Sequence, residues 1–285
     1  MGSDPVLGMT SVAAAREAIE AATDSLTAAG CDTPRLDAEV LVAEAAGLDR
    51  LELVADQDAG LEPAAARTLM GWVRRRARRE PLAYIIGRKP FRRIELHVDS
   101  RVLIPRPETE LLVEVAAEVA PQGARVHDVG TGSGAVAVAL KDERPDLAVS
   151  GSDRLPGAVD VARRNAERLE LDVEFAIERG LPAGEYDLVV ANLPYVRDDE
   201  WNALAPEIRD NEPREALVAG SDGLDEIRAL VAAAPAGTLL ALEHAPGQAE
   251  SVRGMLDGAE TRADLAGHER VTIGRTSAVP PHRGV

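Results

Sequence analysis

Two short stretches of the sequence carry residue types that chemistry can use at a usable spacing. The first is Gly130-Thr131-Gly132-Ser133-Gly134, set between the apolar run Arg125–Val129 and the helix-forming run 135–140. Glycines there allow a tight turn and a close backbone approach to a ligand. The free N–H groups that open the helix favour an electron-rich group. The next apolar run ends in Asp153-Arg154, and a carboxylate at that place can accept hydrogen bonds from two ribose hydroxyls. The glycines lack the longer G-x-G-x-x-G spacing of dinucleotide sites. Asp128, just before the loop, would repel a pyrophosphate but would stabilise a nucleoside that carries positive charge. The sulfonium and ammonium groups of S-adenosylmethionine meet that description. The residues expected to bind it are Asp128, Gly130, Thr131, Gly132, Ser133, Gly134, Asp153 and Arg154.

The second stretch is Asn192-Leu193-Pro194-Tyr195, directly after the apolar run Tyr186–Ala191. In open α/β sheets, ligands bind beyond the carboxyl ends of strands, so the run ends at Val129 and Ala191 are expected to face one crevice. Such a tetrapeptide suits transfer to a planar nitrogen. The lone pair of an amide or aromatic amine is delocalised, so it attacks poorly unless held in line. The Asn192 side-chain oxygen can accept one N–H. The Leu193 carbonyl can accept another, because the residue before a proline is held extended. Tyr195 can pack on the planar group. Positioning of this kind makes a large contribution to rate. Asn192, Leu193, Pro194 and Tyr195 are therefore the expected catalytic residues, with Asn192 also near the cofactor.

Around these segments the chain changes character more than once. From residue 124 onward, strand patterns at 125–129, 147–152, 173–177, 186–191, 237–243 and 269–273 alternate with helical patterns at 135–140, 156–169, 223–233 and 248–256. That alternation predicts an α/β domain with a mostly parallel sheet covered on both faces. Residues 10–80 read as helices. Ser11 is an N-cap for a run ended by Gly30, Thr33-Pro34 opens a second run closed by Gly47, and Pro63 opens a third that Pro81 ends. Tyr84–Gly87 and Ile94–Val98 read as two short strands separated by a turn, and Pro105–Glu110 opens a helix to Val119. The expected division is a helical domain over 1–81, a β-hairpin connector over 82–104, the α/β domain over 105–276 and a disordered tail over 277–285. Met9 reads as the natural start.

Composition narrows the partners. The formal net charge of -17 disfavours nucleic acid, whose affinity rests on Lys and Arg neutralising phosphates. Aromatic residues are only 2% of the chain, so aliphatic side chains must fill the core. A single cysteine, Cys31, excludes an internal disulfide and a cysteine metal site. The histidines lack metal-ligand spacing, so no metal is expected. No apolar run is long enough to span a membrane, and no signal-peptide pattern opens the chain. A cytoplasmic protein, away from membranes and monomeric, is expected.

With these residues in view, the chain resembles the HemK/PrmC family of protein-(glutamine-N5) methyltransferases, which modify peptide-chain release factors. The likeness runs from about Thr33 to Arg275. It rests on Arg101–Glu110, Asp128–Gly134 and Asn192–Tyr195, with weaker support from Glu80–Gly87, Glu212–Gly220 and Leu242-Glu243-His244. The resemblance implies a Rossmann-like S-adenosylmethionine-dependent methyltransferase domain, a small helical N-terminal domain for substrate recognition and a β-hairpin connector. It implies S-adenosylmethionine as donor and a release factor as protein partner. The acceptor it implies is the glutamine of a Gly-Gly-Gln tripeptide, held by Asn192 to Tyr195. The sequence departs from the family twice. Leu193 stands where proline is usual, a form that also resembles rRNA adenine dimethyltransferases. Glu178, within Phe175–Gly180, stands in for the acidic residue that the family places near the adenine. Methylation of an adenine amine or of a small molecule stays open, as does a nucleoside-binding relative without catalysis.

Other notable residues have plain structural readings. Arg74–Arg79 reads as a solvated helix face, with contact to a release factor or ribosomal RNA as the functional alternative. Cys31 and Trp72 read as core, and His244 as structural. Glu108 and Glu110 read as first-turn residues favoured by the helix dipole, with the methyl-transfer pocket as their alternative place.

Overall fold

The computed structural model describes residues 14–55 and 60–277. The expected N-cap Ser11, the start at Met9 and the tail beyond Ser277 lie outside the described residues. The chain divides into two compact units. One comprises the residues to Gly87 together with Pro206–Asn211, and the other comprises Arg88–Ala205 and the residues from Glu212 onward.

The first unit is helical: α1 (Ala15–Ala28), α2 (Pro34–Ala46), α3 (Arg50–Ala55), α4 (Pro63–Ala77) and α5 (Leu82–Ile86). Pro34 and Pro63 occupy first-turn positions, where the missing N–H has no intrahelical partner to lose. Gly47 closes α2 in the left-handed conformation. Ile19, Leu26, Leu41, Leu69 and Val73 fill the core, with Cys31 buried among them and Trp72 packed against it.

Two sequence readings are corrected here. Tyr84–Gly87 has the β-branched and aromatic content of a strand, yet Leu82–Ile86 forms a helical turn. Pro81 sits at its N-cap and Gly87 takes the left-handed conformation at its end. The Arg75 guanidinium donates to the carbonyls of Tyr84 and Ile85, at 3.3 and 3.4 Å. These local caps outweigh strand propensity. The arginine run, for its part, is not a uniformly solvated face. Arg76 is only 6% exposed, and its guanidinium donates to Asp37 at 2.7 Å and to Glu207 at 2.8 Å. Arg79 reaches the Gly30 carbonyl and Glu207. Glu207 comes from the Pro206–Asn211 segment, where Asn211 also donates to the Arg79 carbonyl at 3.1 Å. No sequence signal announced that this hexapeptide joins the helices.

The second unit opens with an antiparallel hairpin, β1 (Arg88–Phe91) and β2 (Ile94–His97). A tight turn at Pro107–Thr109 leads into α6 (Glu110–Val119). There follow β3 (Arg125–Val129), α7 (Ala135–Glu143), β4 (Ala148–Asp153), α8 (Pro156–Arg168), β5 (Glu174–Ile177) and β6 (Leu188–Ala191). The short helix α9 (Pro206–Arg209) belongs to the first unit, and the chain then returns for α10 (Asp225–Ala233), β7 (Leu239–Glu243), α11 (Ala249–Arg253), β8 (Asp257–Ala263) and β9 (Glu269–Arg275).

The strands form one sheet in the order β5-β4-β3-β6-β7-β9-β8, with β3 to β7 parallel and β9 antiparallel to both its neighbours. The Rossmann-like expectation is met, with β8 added. Its sequence, Asp-Gly-Ala-Glu-Thr-Arg-Ala, escaped the apolar pattern because it is a charged edge strand with one mostly exposed face. The β6 residues Leu188 to Ala191 are all buried, as expected of a strand covered on both faces. From β3 the chain runs outward to β4 and β5, then returns to lay β6 on the other side of β3. A crevice opens at such a reversal, beyond the carboxyl ends of the strands.

Candidate active site

Val129 and Ala191 are register partners on β3 and β6, so Gly130 and Asn192 leave the sheet side by side. Gly130, Gly132 and Gly134 have φ of 74°, 55° and 80°, which glycine adopts at little cost. The N–H groups of Gly130 and Thr131 donate to the Ser152 carbonyl at 2.8 and 2.9 Å, tying the loop to β4. A Cβ on Gly134 would press on Ala162 at 3.2 Å, so that glycine lets α7 approach α8. A Cβ on Gly130 would lie 2.9 Å from Leu193 Cδ2, whereas one on Gly132 would meet open space. Gly130→Ala is expected to cost roughly 1–2 kcal/mol in left-handed strain and to displace Leu193. Gly132→Ala should incur the strain alone. Thermal unfolding and cofactor calorimetry of the two variants separate the contributions.

The loop borders a cavity of about 340 Å³, near the lower end of the roughly 300–1,000 Å³ usual for small-molecule sites. Asp128 stands at its base, 2% exposed, and accepts the Thr131 hydroxyl at 2.6 Å. Burial pushes its carboxyl up to about 7; the Thr131 hydroxyl and the Ala137 N–H pull it back, and Asp153 adds to the rise. Asp153, at the end of β4, accepts the N–H of Gly132 at 3.0 Å and of Leu155 at 2.9 Å. Two backbone donors thus orient its carboxylate, and lone pairs are left for hydroxyls. Glu178 lies on the wall just after β5, its N–H bonded to the Asp153 carbonyl at 3.0 Å. Arg154 also reaches the wall, but its guanidinium is turned to Glu226 at 3.3 Å and to the Glu215 carbonyl at 2.9 Å. Thr131 and Ser133 line the cavity as expected, whereas Gly134 stands behind it.

Asn192, Leu193 and Pro194 complete the opposite wall, and Tyr195 borders a small adjoining hollow. Asn192 Nδ2 donates to the Thr109 hydroxyl at 2.9 Å, which leaves Oδ1 for another donor. Burial pushes the Tyr195 phenol up to about 12, with the nearby Glu243 adding to the rise, so it stays neutral. The Tyr195 carbonyl accepts Gln248 Nε2 at 3.0 Å. Beyond it, Val196 exchanges backbone hydrogen bonds of 2.9 Å with Leu217 and Ala219. Glu212, buried, accepts the Ile104 N–H at 3.1 Å and the Arg106 guanidinium. These contacts give a physical reason for Arg101–Glu110 and Glu212–Gly220 to occur with the tetrapeptide: they brace it.

Thr109, Asn165, Gln248 and Glu243 carried no sequence-based role. Asn165 is fully buried, donates to the Ser133 carbonyl at 2.9 Å and accepts the His97 N–H at 2.7 Å, which fastens the hairpin to the glycine loop. A buried asparagine on an otherwise apolar helix face was the available signal. Glu110 caps the Arg92 N–H at 3.1 Å. His244, expected to be structural, bonds Thr272 and the Ala245 carbonyl. No metal-holding cluster of three or more His, Cys, Asp or Glu is found among the described residues.

Two family models match the chain: the PrmC N-terminal domain over residues 17–87 and the methyltransferase small domain over residues 107–214. Among curated relatives, the release factor glutamine methyltransferase of Geobacter sulfurreducens is 43% identical over 258 residues, which cover 86% of this chain and 91% of that protein. The protein of the same name from Burkholderia pseudomallei is 41% identical, covering 84% and 91% of the two chains. That from Caulobacter vibrioides is 38% identical, covering 89% and 93%.

Proposed function

The chain belongs to the release factor glutamine methyltransferases, and on that premise we propose that it moves a methyl group from S-adenosylmethionine to the side-chain nitrogen of the Gly-Gly-Gln glutamine of a peptide-chain release factor. The observation that carries this reading is the register of β3 and β6, which delivers the Gly130 loop and Asn192 to one cavity.

The cavity fits the cofactor. Asp128 is a buried carboxyl with no ion pair among the described residues, and a ligand bearing sulfonium and ammonium charge supplies the missing cation. Asp153 would take the ribose hydroxyls, the Gly130–Ser133 backbone would hold the nucleoside, and Arg154 and Glu178 on the wall would bound it. When bound, S-adenosylmethionine supplies an electrophilic methyl group. The protein's part is to hold the nucleophile. Asn192 Oδ1 and the Leu193 carbonyl accept the two N–H groups of the glutamine amide, Pro194 fixes the Leu193 backbone, and Tyr195 packs on the amide plane. As positive charge develops on the nitrogen, both acceptors bind it more tightly than they bind the neutral amide, which lowers the barrier.

The helical unit recognises the release factor, and the protein works as a monomer in the cytoplasm. The net charge of -17 disfavours an RNA acceptor. No described helix is long and apolar enough to cross a membrane. Incubation with labelled S-adenosylmethionine and a purified release factor, followed by peptide mass analysis, is expected to find the label on the Gly-Gly-Gln glutamine. Cofactor-loaded protein that leaves that glutamine unlabelled overturns the reading, and label appearing on RNA instead favours an adenine amine.

A further inference from the structure

The side chains of His127 on β3 and of Ser150 and Ser152 on β4 have no part in the chemistry above. They lie under the connection from β5 to β6. Its described residues, 178–187, join the two strands without a helix, and Glu178, Arg179, Gly180 and Leu181 from it line the cavity. An irregular segment needs polar anchors, because no ladder pairs its backbone groups. The Glu178 N–H has one in the Asp153 carbonyl. The Gly180 carbonyl has another, since it accepts the Ser152 hydroxyl at 3.3 Å. Ser152 is fully buried, and the same hydroxyl lies 2.9 Å from His127 Nε2. His127 is buried too, with Nδ1 2.8 Å from the Ser150 hydroxyl. Tyr186, near the far end of the connection, packs at a tilt on the imidazole, with ring centroids 4.8 Å apart.

We propose that His127 is a positioning residue for the cofactor: with Ser150 and Ser152 it forms a one-way hydrogen-bond chain that holds Gly180, and with it the cavity wall at 178–181. The inference rests on the cofactor reading given above. The direction of the chain follows from counting protons. Burial lowers the His127 imidazole to about 4, so the ring is neutral, with one N–H and one bare nitrogen. The Ser152 hydroxyl has one proton. When it gives that proton to Gly180, it can only accept from the ring, so Nε2 carries the hydrogen and Nδ1 is bare. Ser150 then donates to Nδ1.

Run the other way, the chain ends with Ser150 donating to the Val126 carbonyl at 3.5 Å. Val126 lies in mid-sheet, between β4 and β6, where strand N–H groups already serve its carbonyl. Gly180 would lose its donor and Val126 would gain one it does not need. The first direction serves both carbonyls, and the second leaves one bare. A wall fixed before the cofactor arrives spares the cost of ordering it on binding. Loss of the chain therefore weakens cofactor binding and leaves the transfer step alone.

The test uses the full chain. In wild type near neutral pH, nitrogen NMR of labelled histidine should show His127 protonated at Nε2 and bare at Nδ1. Its signals are assigned by their absence in His127→Leu. Ser152→Ala and His127→Leu should each weaken the calorimetric affinity for S-adenosylmethionine about tenfold, the scale of one lost hydrogen bond whose partner is left unserved. In His127→Leu, kcat at saturating cofactor should stay near wild type. Methylthioadenosine, which keeps the nucleoside but lacks the amino-acid part, should lose affinity by the same factor. Ser152→Thr keeps the hydroxyl and should bind like wild type. Backbone hydrogen exchange over 178–187 should quicken in Ser152→Ala and not in Ser152→Thr. A ring protonated at Nδ1 overturns the inference, as does unchanged affinity in both Ser152→Ala and His127→Leu. If wild-type protein binds no S-adenosylmethionine, the cofactor reading fails, while the tautomer and the exchange rates still decide whether the chain holds the wall.

Discussion

Asn192→Ala is expected to lower kcat by roughly 10²–10³-fold, the usual loss when one preorganised polar contact to a developing charge is removed. The affinity for S-adenosylmethionine should fall far less. The asymmetry follows from the geometry. Asn192 leaves β6 beside the glycine loop, yet its Nδ2 is committed to Thr109. Its oxygen is the atom left free, and in the proposed function it is the one that holds the acceptor amide. The Leu193 carbonyl remains in the variant, so the acceptor still binds but rotates about one contact instead of being held by two. Single-turnover rates with cofactor-saturated protein measure the loss, and calorimetry measures the affinity. Equal losses in both would show that Asn192 holds the cofactor, not the nucleophile.

Asp128→Asn should move stability and binding in opposite directions. In the folded protein this carboxyl ionises at about 7, against 3.8 for the ordinary group. A raised value means that the folded state favours the protonated form. The favourable contribution is complete below about pH 4 and disappears as pH rises through 7. Above pH 7 the native state holds a buried, unpaired negative charge. The amide variant avoids it and should melt a few degrees higher in the absence of cofactor, with no difference near pH 4. Its affinity for S-adenosylmethionine should drop roughly 100-fold, because a partly shielded charge pair at contact distance is worth a few kcal/mol. Saturating cofactor should therefore reverse the order of the melting temperatures. A variant that binds as well as wild type would remove Asp128 from the cation site. If binding falls as expected, the buried charge is a cost carried for function, a common reason that natural sequences fall short of their most stable form.

Much of this site is legible in the sequence, for physical reasons. The glycines at 130, 132 and 134 announce positive φ, Asp128 and Asp153 sit at predicted strand ends, and the tetrapeptide follows a run apolar enough to be a fully buried strand. These features are local, and local patterns can be read from one chain. What escaped is long-range. Arg76 and Asp37 form a pair across 39 positions of sequence, Glu212 reaches back to Ile104 and Arg106, and Gln248 supports Tyr195. Each is a polar residue buried by tertiary contacts, and single-sequence periodicity cannot distinguish it from an exposed one. Tyr84–Gly87 failed for a different reason. Its strand propensity is real, but caps at both ends and an arginine from α4 decide the conformation.

The hexapeptide Pro206–Asn211 bears on how such a protein can be taken apart or diversified. The helical unit is discontinuous in the gene: most of it is encoded first, and six residues are encoded inside the stretch that builds the other unit. Glu207, from those six residues, meets both Arg76 and Arg79. A recombination event that exchanged only the front of the gene would deliver arginines without their carboxylate. A chain that exchanges this unit must carry both pieces, so stepwise substitution on its surface is the easier evolutionary route.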